Sequence, residues 1–432
     1  MKDPDRDRQE RTPLSRRAML GGIGAAGIGA GLAAAPSGSA RGRAEAAAPD
    51  ASASALPWMH EQGRPLEPYG QPSAYERSVI RLSNEDTPTA LAGWNFTPLG
   101  DMDGIITPNG LHFERNHAGV PDIDPAAHRL LVHGLVKRPM IFDMDAIRRY
   151  PTVSRIHFIE CSGNTGTEWT KPTGTTVAQT HGLLSCAEWT GVPVAAILDD
   201  LGVDPAATWV LAEGADAAAM DRSIPISKLR DDAVLAYIQN GEPIRPSQGY
   251  PLRLLLPGYE GNMNVKWLRR LKFMRAPAQT AEETAYYTEL FDEGKARQFN
   301  FVMEAKSVIT SPSGGQSALR SGFCQIRGLA WSGNGKIRSV DVSTDGGATW
   351  NAAQLQDPVM PKCLTRFRYD WTFTNSPATL QSRCTDDTGY VQPTREALDA
   401  LRFGHGAASH YHMNAIAGWH VSANGEVANV HV

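Results

Sequence analysis

The hydrophobic pattern of this chain changes its period near residue 300, and that change commits it to a two-part architecture. From about residue 110 to 275, strand-like alternation is interrupted by short helical patterns. "HRLLVHGLV", "RIHFIEC", "TWVLAEG", "YPLRLLLPG" and "VKWLRRLKFM" read as strands. "FDMDAIRRY" carries acids early and arginines late, as a helix dipole favours. "CAEWTGVPVAAILDDLGV" predicts a helix that starts after Pro193 and stops at Gly202. The mixture is α+β rather than a βαβ repeat. Beyond about residue 300, "CQIRGLAWSG", "KIRSVDVSTDGGATWNAAQL" and "RYDWTFTN" are short alternating runs parted by Gly-rich turns, with "STDGGATW" a hairpin signal. They predict an immunoglobulin-like β-sandwich over 301–432, after an α+β body over 108–275 and a polar connecting segment over 276–300.

The N-terminal region follows other rules. Ser15, Arg16 and Arg17 precede a Gly/Ala/Ile run and then small residues, the order of an export signal. The paired arginines and glycine-softened apolar run resemble a twin-arginine signal over 1–46, which implies a folded protein delivered to the periplasm. "GIGAAG" within it matches a dinucleotide fingerprint, but it follows no strand and carries no such reading. Residues 47–107 read as a linker and extended segments. Nothing after residue 50 approaches the ~20 apolar residues of a membrane span. The net charge of −4, more negative once 1–46 are set aside, offers no footprint for nucleic acid and would suit a basic partner.

There are five cysteines and no C-x-x-C or C-x-x-C-H, so neither a zinc ribbon nor covalent haem attachment is encoded. Cys363 and Cys384 are candidates for a disulfide. Cys186 reads as a small core side chain. Cys161 ends an apolar strand and opens "CSGNTGT", where six small or polar residues let a large ligand approach the backbone. By itself it is an inert buried thiol, a nucleophile served by a histidine such as His181, or a ligating sulfur. Arg115, Asn116 and His117 offer three kinds of hydrogen-bonding group from one extended loop. Arg253 lies in an apolar strand, where a guanidinium needs an ion pair or a bound anion such as phosphate. The tail "GHGAASHYHMNAIAGWH" has no zinc-like spacing, and its histidines read as surface and strand residues.

Taken in order, "RNHAGVPDID", "LLVHGLVKRP", "IECSGN", "SCAEWTGVPV", "LAYIQNGEPI", "GYPLRLLLPG", "NVKWLRRL" and "VDVSTDGGATW" resemble the sulfite oxidase family of molybdenum enzymes, from about Pro108 to the C-terminus. The resemblance implies a molybdopterin cofactor in the α+β body, with Cys161 as the thiolate ligand of molybdenum. It implies that Arg115, Asn116, His117 and Asp216 contact the pterin. Arg253 would bind the cofactor phosphate, with Asn264, Val265 and Lys266 lining the pocket. The sandwich would serve dimerisation, giving a homodimer within a hetero-oligomer. Gln248 stands where members often have a phosphate-contacting His. Three departures bear on substrate: Gly166 replaces a sulfite-binding Arg, Gln179 a pocket Trp and Asn414 a C-terminal Arg, and no active-site Tyr aligns. This pattern resembles the sulfane dehydrogenase branch. It implies oxidation, with water-derived oxygen, of sulfur held as a cysteine persulfide on a carrier protein, with electrons passed to a c-type cytochrome. Direct oxidation of free sulfite is the alternative within the family. A cysteine hydrolase and a non-catalytic binding protein are the alternatives outside it.

Overall fold

The computed structural model describes residues 57–432 apart from 84–88, 90, 170–171, 291–293 and 403–410. The expected export signal lies outside the described residues. Residues 57–71 belong to a separate unit, and among its described residues the regular element is a 3₁₀ turn at Pro57–Met59; residues 72–432 form the second unit.

Two sheets build the α+β half. In the first, Val153–Glu160 pairs antiparallel along its whole length with Leu184–Pro193, which pairs in turn with Val234–Gln239. Glu242–Pro243 and Arg253–Leu255 both pair with Val234–Gln239. The second sheet runs Met140–Phe142, Leu130–Gly134, Leu268–Met274, Trp209–Gly214, Asp221–Pro225, with only the Leu130–Gly134 and Leu268–Met274 pair parallel. The helix expected after Pro193 spans Val194–Leu201 and ends at Gly202, whose φ of 66° favours glycine. Val194, Ile197, Leu198 and Leu201 are all buried, an apolar stripe at i, i+3, i+4 and i+7. Each such burial is worth ~1.5–3 kcal/mol, which outweighs the marginal stability of an eight-residue helix. The sequence shows no strand at Leu184–Pro193 because this strand is buried on both faces and so lacks alternation.

The C-terminal half is a sandwich. One sheet orders Lys306–Ser311, Gly322–Trp331, Thr365–Phe373 and Gln354–Gln356; the other orders Asn351–Ala352, Ile337–Ser343, Ala378–Asp386, Gly418–Val421 and Val427–Val430. The "STDGGATW" turn joins Ile337–Ser343 to Asn351–Ala352, and the Asp345 carboxylate accepts from the Thr349 amide (2.9 Å) and hydroxyl (2.6 Å).

The two halves share a core. Phe158, Leu184 and Cys186 from the first sheet pack with Trp331, Phe367, Leu380 and Trp419 of the sandwich. Extended segments within 72–107 lie on the body, and the connecting segment 276–300 is built into it. Trp94–Phe96 pairs with Leu82–Ser83 and with Glu114–Arg115, and Leu99 is buried in the shared core. Within 276–300, Glu282–Tyr286 forms a π-helical turn, and the buried Glu283 accepts from the Ser223 hydroxyl at 3.0 Å. No disulfide joins Cys363 to Cys384. Cys363 Sγ lies instead 3.6 Å from Cys186 Sγ, because both face the shared core, and all five cysteines are free.

Candidate cofactor and active site

Cys161 follows the last residue of Val153–Glu160, so the first sheet sets its position. Its amide donates to Leu183 O (3.0 Å), and its carbonyl accepts from the Asn164 amide (2.9 Å), which closes a turn. Gly261 packs on this turn so closely that a Cβ there would stand 2.9 Å from Glu160 O and 3.2 Å from Cys161 Cα. Burial pushes the Cys161 thiol up, so the free thiol is a poor nucleophile. His181 gives it no base. Its ring is buried, held far below its usual value by that burial, and meets the Thr180 hydroxyl at 2.9 Å.

One cavity gathers every residue that the family resemblance assigned. Arg115, Asn116, His117, Cys161 and Asp216 line it together with Arg253, Asn264, Val265 and Lys266, around ≈ 680 Å³ of atom-free space partly open to solvent. Arg253 is buried and Nη1 donates to the Gln248 carbonyl (3.2 Å) and side-chain oxygen (3.1 Å), while Nε has no partner. Its guanidinium sits 5.3 Å from the Trp189 ring centroid, and burial lowers it to about 9. Lys266 Nζ donates to Arg115 O (3.1 Å), Ser247 O (3.0 Å) and Asn116 Oδ1; burial, then Arg253, lowers it to about 7.

Neither the buried Arg253 nor the partly exposed Lys266 has a carboxylate partner among the described ion pairs. An unneutralised buried guanidinium with an orphaned Nε fits an anion such as a cofactor phosphate. Asn264 is spent on the backbone: Oδ1 accepts from the Leu256 amide (2.7 Å) and Nδ2 donates to Glu260 O (3.1 Å). Asp216 accepts from the Met220 amide at 3.3 Å, and burial, then Arg115, holds His117 near 4, so its ring is neutral. Among the described residues no group of three or more His, Cys, Asp or Glu is placed to hold a metal. A metal here would take one protein sulfur and draw its other ligands from a cofactor. The residues present fit molybdopterin in both respects.

A second, wider hollow opens from Cys161 to solvent. Among the described residues, Arg115 is its one cation and Glu282 its one carboxylate; Trp94, Phe96, Tyr286, Tyr287 and Tyr411 supply aromatic walls. Gly166 and Gln179 line it, as their alignment implied, but Asn414 does not. The Asn414 amide donates to Ala305 O and to the Tyr390 hydroxyl, both at 3.1 Å.

Tyr287 and Tyr411 are the site residues that the sequence did not yield. Their rings lie 5.4 Å apart, and the Tyr287 hydroxyl meets His117 Nε2 at 3.4 Å. Burial, then the nearby Cys161 sulfur, raises Tyr287 well above the usual phenol range, so it stays protonated. The available signal was "AYYTEL", an aromatic pair in an otherwise charged segment.

One reading of the tail needs correction. His412 is not a surface or strand residue. It is buried between Glu260 (3.4 Å) and Glu304 (3.7 Å), and its amide donates to Ser162 O at 2.8 Å. Burial alone would lower it, yet hydrogen bonds to both carboxylates raise it to about 9. His412 belongs to an ionic cluster, with Arg222 to Glu260 at 3.2 Å and Arg402 to Glu289 at 2.7 Å. His405 and His410 lie outside the described residues.

Comparison with known proteins agrees with this geometry. The family model "Oxidoreductase molybdopterin binding domain" matches residues 117–282, and "Mo-co oxidoreductase dimerisation domain" matches 297–417. The mitochondrial sulfite oxidase of Drosophila melanogaster is 34% identical over 288 residues, 61% of this chain and 50% of that protein. An NADH nitrate reductase of Solanum lycopersicum is 30% identical, over 68% of this chain and 36% of that protein. The chain thus spans about half the length of the curated sulfite oxidases it matches. Among solved structures, the sulfane dehydrogenase SoxCD from Paracoccus pantotrophus superposes with a TM-score of 0.84 at 44% identity, covering 87% of this chain and 97% of that one.

Proposed function

Because the chain belongs to the sulfite oxidase family of molybdopterin oxidoreductases, we propose that it oxidises sulfane sulfur presented as a cysteine persulfide on a carrier protein, with electrons passing to a c-type cytochrome. The observation that carries this reading is the mouth above Cys161, where, among the described residues, a single cation is balanced by a single carboxylate. Free sulfite is a dianion, and a site built for it would surround it with fixed positive charge. An aromatic, nearly neutral mouth suits a sulfur atom delivered on a tethered arm. The likeness to a sulfane dehydrogenase supports the same choice.

In this reading Arg253 and Lys266 neutralise the cofactor phosphate, and Arg115, Asn116, His117 and Asp216 border the pterin. Asn264 and Val265 hold the wall, and the Cys161 thiolate ligates the metal. The bound cofactor supplies the redox couple for two-electron sulfur oxidation with oxygen taken from water. The protein's part is placement. Tyr287, protonated at neutral pH, is a hydrogen-bond donor facing the arriving sulfur, and Tyr411 packs beside it at a tilt to narrow the entrance. In this reading the electron acceptor is a c-type haem on another chain, in keeping with the lack of a C-x-x-C-H in this sequence. A homodimer through the sandwich and export to the periplasm by the twin-arginine route complete the proposal.

Steady-state assays with cytochrome c as acceptor test it. Turnover with persulfidated carrier protein should exceed turnover with free sulfite at equal sulfur concentration. Fast oxidation of sulfite with none of the persulfide would replace this reading with a sulfite dehydrogenase, for which Arg115 would be the anchor.

A further inference from the structure

We propose that Lys306 and Trp331, both in the sandwich, are positioning residues for Cys161, acting through the carboxylate of Glu160. The proposal rests on Cys161 being the ligand of the metal, and it gives the sandwich a part in the site as well as in dimerisation.

The geometry is specific. Lys306 Nζ donates to Glu160 Oε1 (3.0 Å) and to the Thr165 hydroxyl (2.9 Å). Trp331 Nε1 donates to Glu160 Oε2 at 2.6 Å, and Asn164 Nδ2 to Oε1 at 2.9 Å. Asn164 Oδ1 in turn accepts from the Leu183 amide at 3.1 Å. Each Glu160 oxygen is therefore occupied, and the loop from Glu160 to Thr165 is held at both ends by this network, through Glu160 on one side of Cys161 and Asn164 and Thr165 on the other. The lysine is 146 positions away in sequence and the tryptophan 171.

Two physical arguments say that this is more than packing. Lys306 is 1% exposed and Glu160 0%. A buried ion pair is weak evidence for stability, because well-packed apolar side chains of like volume serve a fold as well or better. Its presence next to the ligating sulfur calls for another explanation. The second argument comes from Thr165, a β-branched residue at φ 68°, in the left-handed region. That conformation persists only where the surroundings over-determine it, and the bond from Lys306 to its hydroxyl does so here. A loop strained in this way holds a sulfur in one direction. Partners that orient a metal's ligand commonly change metal affinity or activity by about 10–100-fold when removed.

The test uses purified holoprotein and four variants. Glu160→Gln/Lys306→Met removes both charges and keeps their volumes. Trp331→Phe removes one N–H and keeps a ring in the core. Lys228→Met/Asp232→Asn is the control, since it removes a comparable partly buried pair (2.5 Å) on another part of the fold. The readouts are melting temperature, molybdenum retained through dialysis and the Mo(V) electron paramagnetic resonance spectrum, which responds to the direction of the sulfur ligand. The two site variants should lose molybdenum about tenfold faster and show shifted g-values, while the control keeps the native spectrum. Native retention and native g-values in the site variants would overturn the proposal. If the double variant fails to fold, Trp331→Phe alone decides. Cys161→Ser separates the two readings: a native spectrum in that variant would remove the sulfur ligand itself, whatever Lys306 does.

Discussion

Arg253 and Lys306 are both buried cations bordering the Cys161 site, and they keep opposite company. Lys306 faces a carboxylate, and Glu160 has every oxygen satisfied. Arg253 faces a carbonyl, an amide oxygen and an aromatic ring, with Nε left over. Neither exposure nor residue type separates them; the charge ledger around each does. A buried cation with its own carboxylate is part of the protein's structure, while one without is waiting for an anion from outside. The same division runs through the rest of the site. Lys266 sides with Arg253, and Arg222, Arg402 and His412 side with Lys306.

The largest effect expected is at the sulfur that both cations border. Cys161→Ser should take turnover to the assay floor and remove the Mo–S(Cys) signal from X-ray absorption; turnover near native would undo the site. Next comes a contrast in urea denaturation of cofactor-free protein. Lys306→Met leaves Glu160 buried and unpaired and should cost about 3–5 kcal/mol. Arg253→Met relieves an uncompensated charge, so it should be neutral or slightly stabilising there while abolishing cofactor retention. Equal destabilisation by both would erase the distinction between the two cations.

His412 supplies a pH test of the paired class. It is raised to about 9 in the fold against an ordinary 6.5. Below 6.5 both states carry the proton. Between 6.5 and about 9 only the folded state does, so stability falls as pH rises through that window. A loss of order 1–3 kcal/mol is expected, and His412→Gln should flatten it in melts between pH 6 and 9. The smallest effect concerns the mouth. Gly166→Arg adds fixed positive charge, and the apparent KM for free sulfite should fall by about three- to tenfold, near 1 kcal/mol, as screened charges allow. No change would mean that this position does not face the substrate.

Much of the site was legible because its signals are local. Cys161 at a strand end, the Arg115–His117 triplet and the lone Arg253 in an apolar strand are each visible in a few residues, and all three line one cavity. The illegible part involves long-range pairing. Tyr287 lies in a segment whose composition reads as a connector, and His412 in a tail that reads as surface. Leu184–Pro193 hid as a strand because burial on both faces removes the alternation that marks one. "IECSGN" by itself determined that a thiol would sit at the mouth of a small-residue loop, on the rigid end of a strand. Which way that loop is held was decided only by the tertiary structure, when packing of the sandwich against the first sheet brought Lys306 and Trp331 onto Glu160. Whether a buried charge is compensated depends on what packs against it, and a residue's neighbours in sequence do not say.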